Sequence, residues 1–193
     1  AMPSIPAYNA PHRAPIVANT KVETTATYIC PNPSQNPLYG EQYGILQQNI
    51  HQLWNKQIKN KRRPVIAIVD TGVDIMHPDL TNNIWTNPAE LAGEKGYDDD
   101  HNGKRDDVNG WNFVEGNNDV SDLNMHGTHV AGIAAASDNA LGIVGANPLA
   151  RIMPVRVLNE KGSGSTATVA QGIVYAAENG ADIINLSLGG PTL

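Results

Sequence analysis

PVIAIVDTGV (64–73) is an unbroken apolar, largely β-branched run that closes on Asp-Thr-Gly. An apolar run without alternation predicts a strand covered on both faces, as in a parallel sheet, and this one delivers a carboxylate at its C-terminal end. RIMPVRVL (151–158) predicts a second strand and ADIINLSLGG (181–190) a third. Between them, GSGSTATVAQGIVYAAENG (162–180) predicts a loop and then a capped helix, with Val169, Ile173, Val174 and Ala177 facing inward and Gly180 as its stop. YGILQQNIHQLWNKQI (43–58) spaces Ile45, Leu46, Ile50, Leu53, Trp54 and Ile58 as one amphipathic helix, and HVAGIAAA (129–136) starts another. Strand, helix and strand in turn predict an α/β fold, a mostly parallel twisted sheet with helices on both faces. Ligands of such sheets sit at the C-terminal ends of the strands, where Asp70 and the Ser187–Gly190 stretch fall.

Outside these segments the chain is polar. Residues 1–40 hold more than half of the 13 prolines and show no period, so residues 1–35 predict an extended arm laid over a body formed by 36–193. A polar insertion runs from about 81 to 122. The composition, 40% hydrophobic and 17% charged over 193 residues, is globular, and no apolar run is long enough to cross a bilayer. The net charge of −6 is uneven: residues 1–63 carry seven Lys/Arg against two Glu, and the acidity lies beyond them. That balance argues against nucleic acid or a membrane as partner. The basic run KNKRR (59–63) reads as a solvated strand entry. Cys30, the sole cysteine, excludes an internal disulfide framework and a cysteine-based zinc site, and it reads as a half-buried thiol. The first residues lack a charged start followed by an apolar core, so no secretory leader is expected there.

Two residue types carry the candidate chemistry. A buried strand-end aspartate costs desolvation energy unless it accepts hydrogen bonds, so Asp70 predicts a partner. NMHGTHVAG (124–132) supplies one: His126 at a helix start, with Gly127 after it to permit close backbone approach. In a Ser-His-Asp relay such a carboxylate fixes the imidazole tautomer and stabilises the imidazolium. His129 reads as a satisfied core histidine. A zinc reading of HGTH lacks the glutamate of HExxH and a third ligand at a recognised spacing.

VIAIVDTGVDIMHPDL, then HGTHVAGIAAA, then INLSLGG, in this order, resemble the subtilisin-like serine proteases, the subtilases, over roughly residues 36–193. The resemblance implies a serine endopeptidase that hydrolyses peptide bonds, with Asp70 orienting the base and His126 acting as general base and acid. It implies that the loop carrying Leu158, Gly162, Ser163 and Gly164, and the stretch Ser187, Leu188 and Gly189, hold a polypeptide substrate as an added strand. Leu158, Val169 and Leu188 would line apolar subsites. No GTSM-like segment carrying the family's nucleophilic serine occurs in the sequence. The expectation is therefore an N-terminal portion of a catalytic domain, with a sheet incomplete on its C-terminal side, inactive alone and partnered by a complementary C-terminal chain that carries the serine. A second reading stays open: a non-enzymatic, calcium-binding pseudoprotease or peptide-binding module.

YDDDHNGKRDDVNGW (97–111) packs five Asp against Lys104 and Arg105 within ten residues. Carboxylates that dense repel unless a hard cation sits among them, and D-x-D-x-N-G resembles the start of an EF-hand-type loop. Asp98, Asp100, Asn102, Asp106 and Asp107 are the candidate ligands, and many bacterial subtilases carry a similar segment. The resemblance implies a second Ca²⁺ site from Asp79, the side chain of Asn139, the backbone carbonyls of Ser137, Leu141 and Ile143, and Asn36. Two calcium sites imply a secreted or periplasmic setting.

Overall fold

The structure is a computed structural model that describes residues 35–54 and 62–190. Residues 1–34 of the arm expected over 1–35, Cys30 among them, lie outside the described residues, as does Ile58.

All six residues of β1 (Val65–Asp70) are buried, as its unbroken apolar run predicts. It pairs in parallel with β3 (Arg151–Arg156) on one side and with β4 (Ile183–Asn185) on the other. A two-residue strand, β2 (Trp111–Asn112), completes the order β2-β3-β1-β4. The strands are shorter than the apolar runs that predict them: 65–70 within 64–73, 151–156 within 151–158 and 183–185 within 181–190. β2 lies inside the polar insertion and was invisible in the sequence, since two residues show no period. The same insertion holds a short helix, α3 (Pro88–Ala92), capped by the Asn87 side chain.

Alternation along β1 assigns its faces. Val65, Ala67 and Val69 pack with Met153, Val155 and Tyr175 under α5 (Thr166–Glu178). Ile66 and Ile68 pack with Ile152 under Ala131 and Ala135 of α4 (His126–Ala135). Asp70 continues the second set, which turns its side chain toward the start of α4.

Three expectations are corrected. The single helix over 43–58 is two short ones, α1 (Tyr43–Gln47) and α2 (His51–Trp54), broken at Asn49, whose φ is 55°. Ile45 and Trp54 are buried against Val144, and Trp54 Nε1 donates to the Ala146 carbonyl, whereas Leu46 and Leu53 face solvent. On α5 the inward stripe is Gly172, Tyr175 and Ala176, while Val174 and Ala177 are exposed. Small residues let the sheet approach, and the Tyr175 hydroxyl is drawn in by Asp107, to which it donates at 2.6 Å. His129 is exposed and not a core residue. With Gly127, Ala131 and Ala135 against the sheet, residues 129 and 133 fall on the opposite arc of the helix.

The basic entry to β1 is more than a solvated face. Arg62 pairs with Asp182, and Arg63 donates to the carbonyls of Leu149 and Ala150 and to Asn83 Oδ1.

Candidate active site

Asp70 is fully buried, and its Oδ1 lies 2.8 Å from His126 Nδ1 across 56 residues of sequence. The same oxygen accepts from the Thr71 N–H at 2.7 Å. An ionised carboxylate only accepts, so the shared proton sits on Nδ1 and the lone pair is left on Nε2. The His126 side chain is 46% exposed, so that second nitrogen is accessible while the first is locked. Gly127 permits the approach: a Cβ there would stand 2.1 Å from the Gly72 carbonyl oxygen and 3.2 Å from Asp70 Cβ. Gly127→Ala should therefore push α4 off β1, costing about 1–3 kcal/mol by overpacking against rigid backbone. Chemical denaturation would register the lowered midpoint.

His126 opens on a cleft of roughly 800 Å³. Leu158, Gly162, Ser163 and Gly164 line it, as do Ser187, Leu188 and Gly189, so the residues expected to contact substrate share the cleft on which the imidazole opens. Val169 also lines it, together with Thr71, Asn124 and Lys161, which the sequence did not single out. The loop is shaped locally: Asn159 Oδ1 accepts from the backbone of Lys161 and Ser163. Asn124 Nδ2 ties the His126 segment to the Glu160 carbonyl at 2.9 Å.

The two expected calcium sites differ in how completely the structure assembles them. Asp79, Asn36 and Ser137 are all buried beside the turn 137–143. Asp79 Oδ1, Asn36 Oδ1 and Ser137 Oγ are buried without a hydrogen-bond partner, an expensive state for three oxygens unless a cation uses them. A Cβ on Gly142 would stand 2.2 Å from Asp79 Oδ2, so only glycine leaves the cradle open. The Asn139 side chain bonds within the turn and to Pro78, accepting from the Leu141 N–H and donating to the Pro78 carbonyl. Ile143 N–H donates to Asp79 Oδ2. The all-oxygen set fits Ca²⁺.

In the acidic loop, Asp98 and Asp100 come together with Glu90, one oxygen of each within 4.8 Å of the others. Glu90, on α3, escaped the sequence reading because it lies outside the acidic run. It is buried and accepts from the N–H groups of Asp99 and Asp106. Asp106 turns its carboxylate away, to the Gly96 N–H. Asp107 is wholly buried and accepts from Asn87, Asn102 and Tyr175. Burial pushes the Asp107 carboxyl above the usual carboxylate range despite these bonds. Burial, and then the Asp107 charge, raise the Tyr175 phenol in turn.

A parallel sheet that delivers a buried aspartate to the imidazole at a helix start, beside an open cleft, defines an α/β protein of subtilisin-like architecture. The model of the Subtilase family matches residues 61–192, and the chain belongs to that family. It is 40% identical over 159 residues to the thermitase of Thermoactinomyces vulgaris, covering 82% of this chain and 48% of that protein. It is also 40% identical over 158 residues to the thermophilic serine proteinase of Bacillus sp. strain AK1, covering 81% of this chain and 33% of that one. A crystal structure of a cold adapted subtilisin-like serine proteinase matches with 28% identity and a TM-score of 0.50, over 72% of this chain and 42% of that one. The chain thus spans between a third and a half of the length of these relatives.

Proposed function

We infer that the chain contributes the acid-base half of a serine endopeptidase. The observation that carries this reading is the 2.8 Å contact between Asp70 Oδ1 and His126 Nδ1, with the imidazole open on the cleft. His126 Nε2 takes the proton of a serine hydroxyl as that oxygen attacks the scissile carbonyl, and later returns it to the leaving amine. Asp70 holds the tautomer and stabilises the imidazolium between the two transfers. The substrate lies extended between the 158–164 loop and the 187–190 stretch, paired through main-chain groups. The nucleophile comes from sequence outside residues 1–193, on the same polypeptide or on a complementary chain seated against β4, where Ile183 and Leu186 are exposed.

Calcium belongs to the same proposal. Asn36, Asp79, Ser137, Asn139, Leu141 and Ile143 would hold one ion, and Glu90, Asp98, Asp100 and Asn102 a second. Bound there, Ca²⁺ supplies charge compensation and rigidity, not chemistry. Such sites suit a calcium-rich, extracellular or periplasmic compartment. Among the described residues no helix is long and apolar enough to cross a membrane.

Mixing the chain with a serine-bearing subtilase C-terminal portion and assaying a chromogenic peptide amide tests the reading. Hydrolysis should need both components, because the imidazole and the hydroxyl it serves lie on different pieces. A folded mixture that leaves every peptide intact and fails to react with a serine-directed phosphonylating reagent would reject it.

A further inference from the structure

Asp122 lies outside the Asp70–His126 pair, yet its carboxylate gathers the backbone on both sides of His126. Its Oδ1 accepts from the N–H groups of Asn124 and Met125, each at 2.9 Å, and from the Thr71 hydroxyl at 2.9 Å. Its Oδ2 accepts from Thr128 N–H at 2.9 Å and Thr128 Oγ1 at 2.6 Å. Five donors saturate a group that offers about four lone-pair directions.

The start of α4 needs such a partner. Its first N–H groups have none within the helix, and the N-cap residue, Met125, sits at φ 87° without a side-chain cap. Asp122 supplies the missing acceptor from outside the helix, and its negative charge suits a helix N-terminus.

Thr71 carries the connection to the reacting pair. Its hydroxyl proton goes to Asp122, which only accepts, and its Oγ1 in turn accepts from Gly127 N–H at 3.0 Å. Its own N–H holds Asp70 Oδ1. One short chain of hydrogen bonds therefore runs from Asp122 through Thr71 to both Asp70 and the residue after His126. Burial works against the Asp122 charge, but the bonds from Thr128, Asn124 and Thr71 outweigh it and hold the carboxyl below the usual range.

We propose that Asp122 is a positioning residue for the relay: through Thr71 and the bracketed backbone it fixes the His126 ring at Asp70. The inference rests on the proteolytic reading, but its direct readout does not need turnover. In the full chain, ¹⁵N NMR of the neutral His126 ring should show one tautomer, protonated at Nδ1. In Asp122→Ala this should become a mixture of the two, while His77, whose Nδ1 accepts from the Asp79 N–H, keeps its signal and reports an intact fold. Thr71→Val should cause the same mixing with Asp122 in place, and Thr71→Ser should restore the single form. In the assembled protease, Asp122→Asn should cut kcat by about 10–100-fold at unchanged KM, the scale of a slightly misplaced catalytic group.

A single tautomer in folded Asp122→Ala overturns the inference. If that variant does not fold, the comparison of Thr71→Val with Thr71→Ser decides: mixing with rescue supports it, and identical spectra overturn it. A mixed tautomer in the unaltered chain removes the Asp70–His126 relay and this inference together. Absence of both hydrolysis and phosphonylation despite the expected spectra rejects the protease reading alone and leaves the positioning of the His126 ring supported.

Discussion

His126→Ala should lower kcat for peptide hydrolysis on the order of 10⁶-fold in the assembled protein, and Asp70→Ala on the order of 10⁴-fold, with KM little changed. The first loss corresponds to about 8 kcal/mol of transition-state stabilisation. The order follows from the geometry. In the proposed relay His126 is the group with an accessible nitrogen, so its removal would leave the serine hydroxyl with no acceptor, while Asp70 is buried and would act only through His126. Without Asp70 the imidazole still reaches the cleft, but its tautomer is no longer set, and the imidazolium loses its counter-charge. Because the two act as one unit, the double variant should be no slower than His126→Ala. Steady-state kinetics on all three variants checks this. Multiplying penalties in the double variant would mean that Asp70 and His126 work independently, contrary to their 2.8 Å contact.

The parts of this site that were readable from sequence are those written in local pattern. The run through Val69 fixes a buried strand, and a buried strand places Asp70 at its end. Gly127 was readable because close approach leaves a glycine in the motif, and the 2.1 Å clearance to Gly72 O is the reason. What stayed hidden depends on contacts across long sequence separations. Thr71 and Asp122 are 51 residues apart, and nothing in DVSDLN (119–124) distinguishes Asp122 from Asp119, whose carboxyl is held down chiefly by the Ser121 hydroxyl. Glu90, on α3, meets the acidic loop through the N–H groups of Asp99 and Asp106, contacts that no local pattern shows. The helix faces failed for a related reason. Apolar spacing scores Val174 highly and Gly172 not at all, but packing on a sheet rewards the residue that lets the backbones approach. For His129 the neighbours in the motif suggest a core place, but which arc of α4 meets β1 decides it, and His129 is on the other arc.

Removal of calcium should give the largest change in stability, and the 137–143 turn is where it should act. Asp79 Oδ1, Asn36 Oδ1 and Ser137 Oγ are buried and unpaired, so the ion-free chain bears their desolvation without return. The turn also braces the N-terminal part of the described chain: Leu38 N–H donates to the Gly142 carbonyl, and Gln42 bonds both backbone groups of Val144. Loss of the ion would thus loosen residues 35–54 together with the turn. An ion held at about 100 times its Kd adds roughly 2.7 kcal/mol by mass action. For a domain of this size that is a Tm shift of roughly 5–10 °C. Scanning calorimetry should therefore show a lower Tm in chelator, restored by Ca²⁺ but not by Mg²⁺, which resists giving up its water for so many protein oxygens. Asp79→Ala should abolish most of that response, whereas Glu90→Gln, confined to the acidic loop, should remove only a smaller and separate part. Equal Tm values with and without chelator would make the three unpaired oxygens an unrelieved cost of the fold and end the calcium reading of this turn.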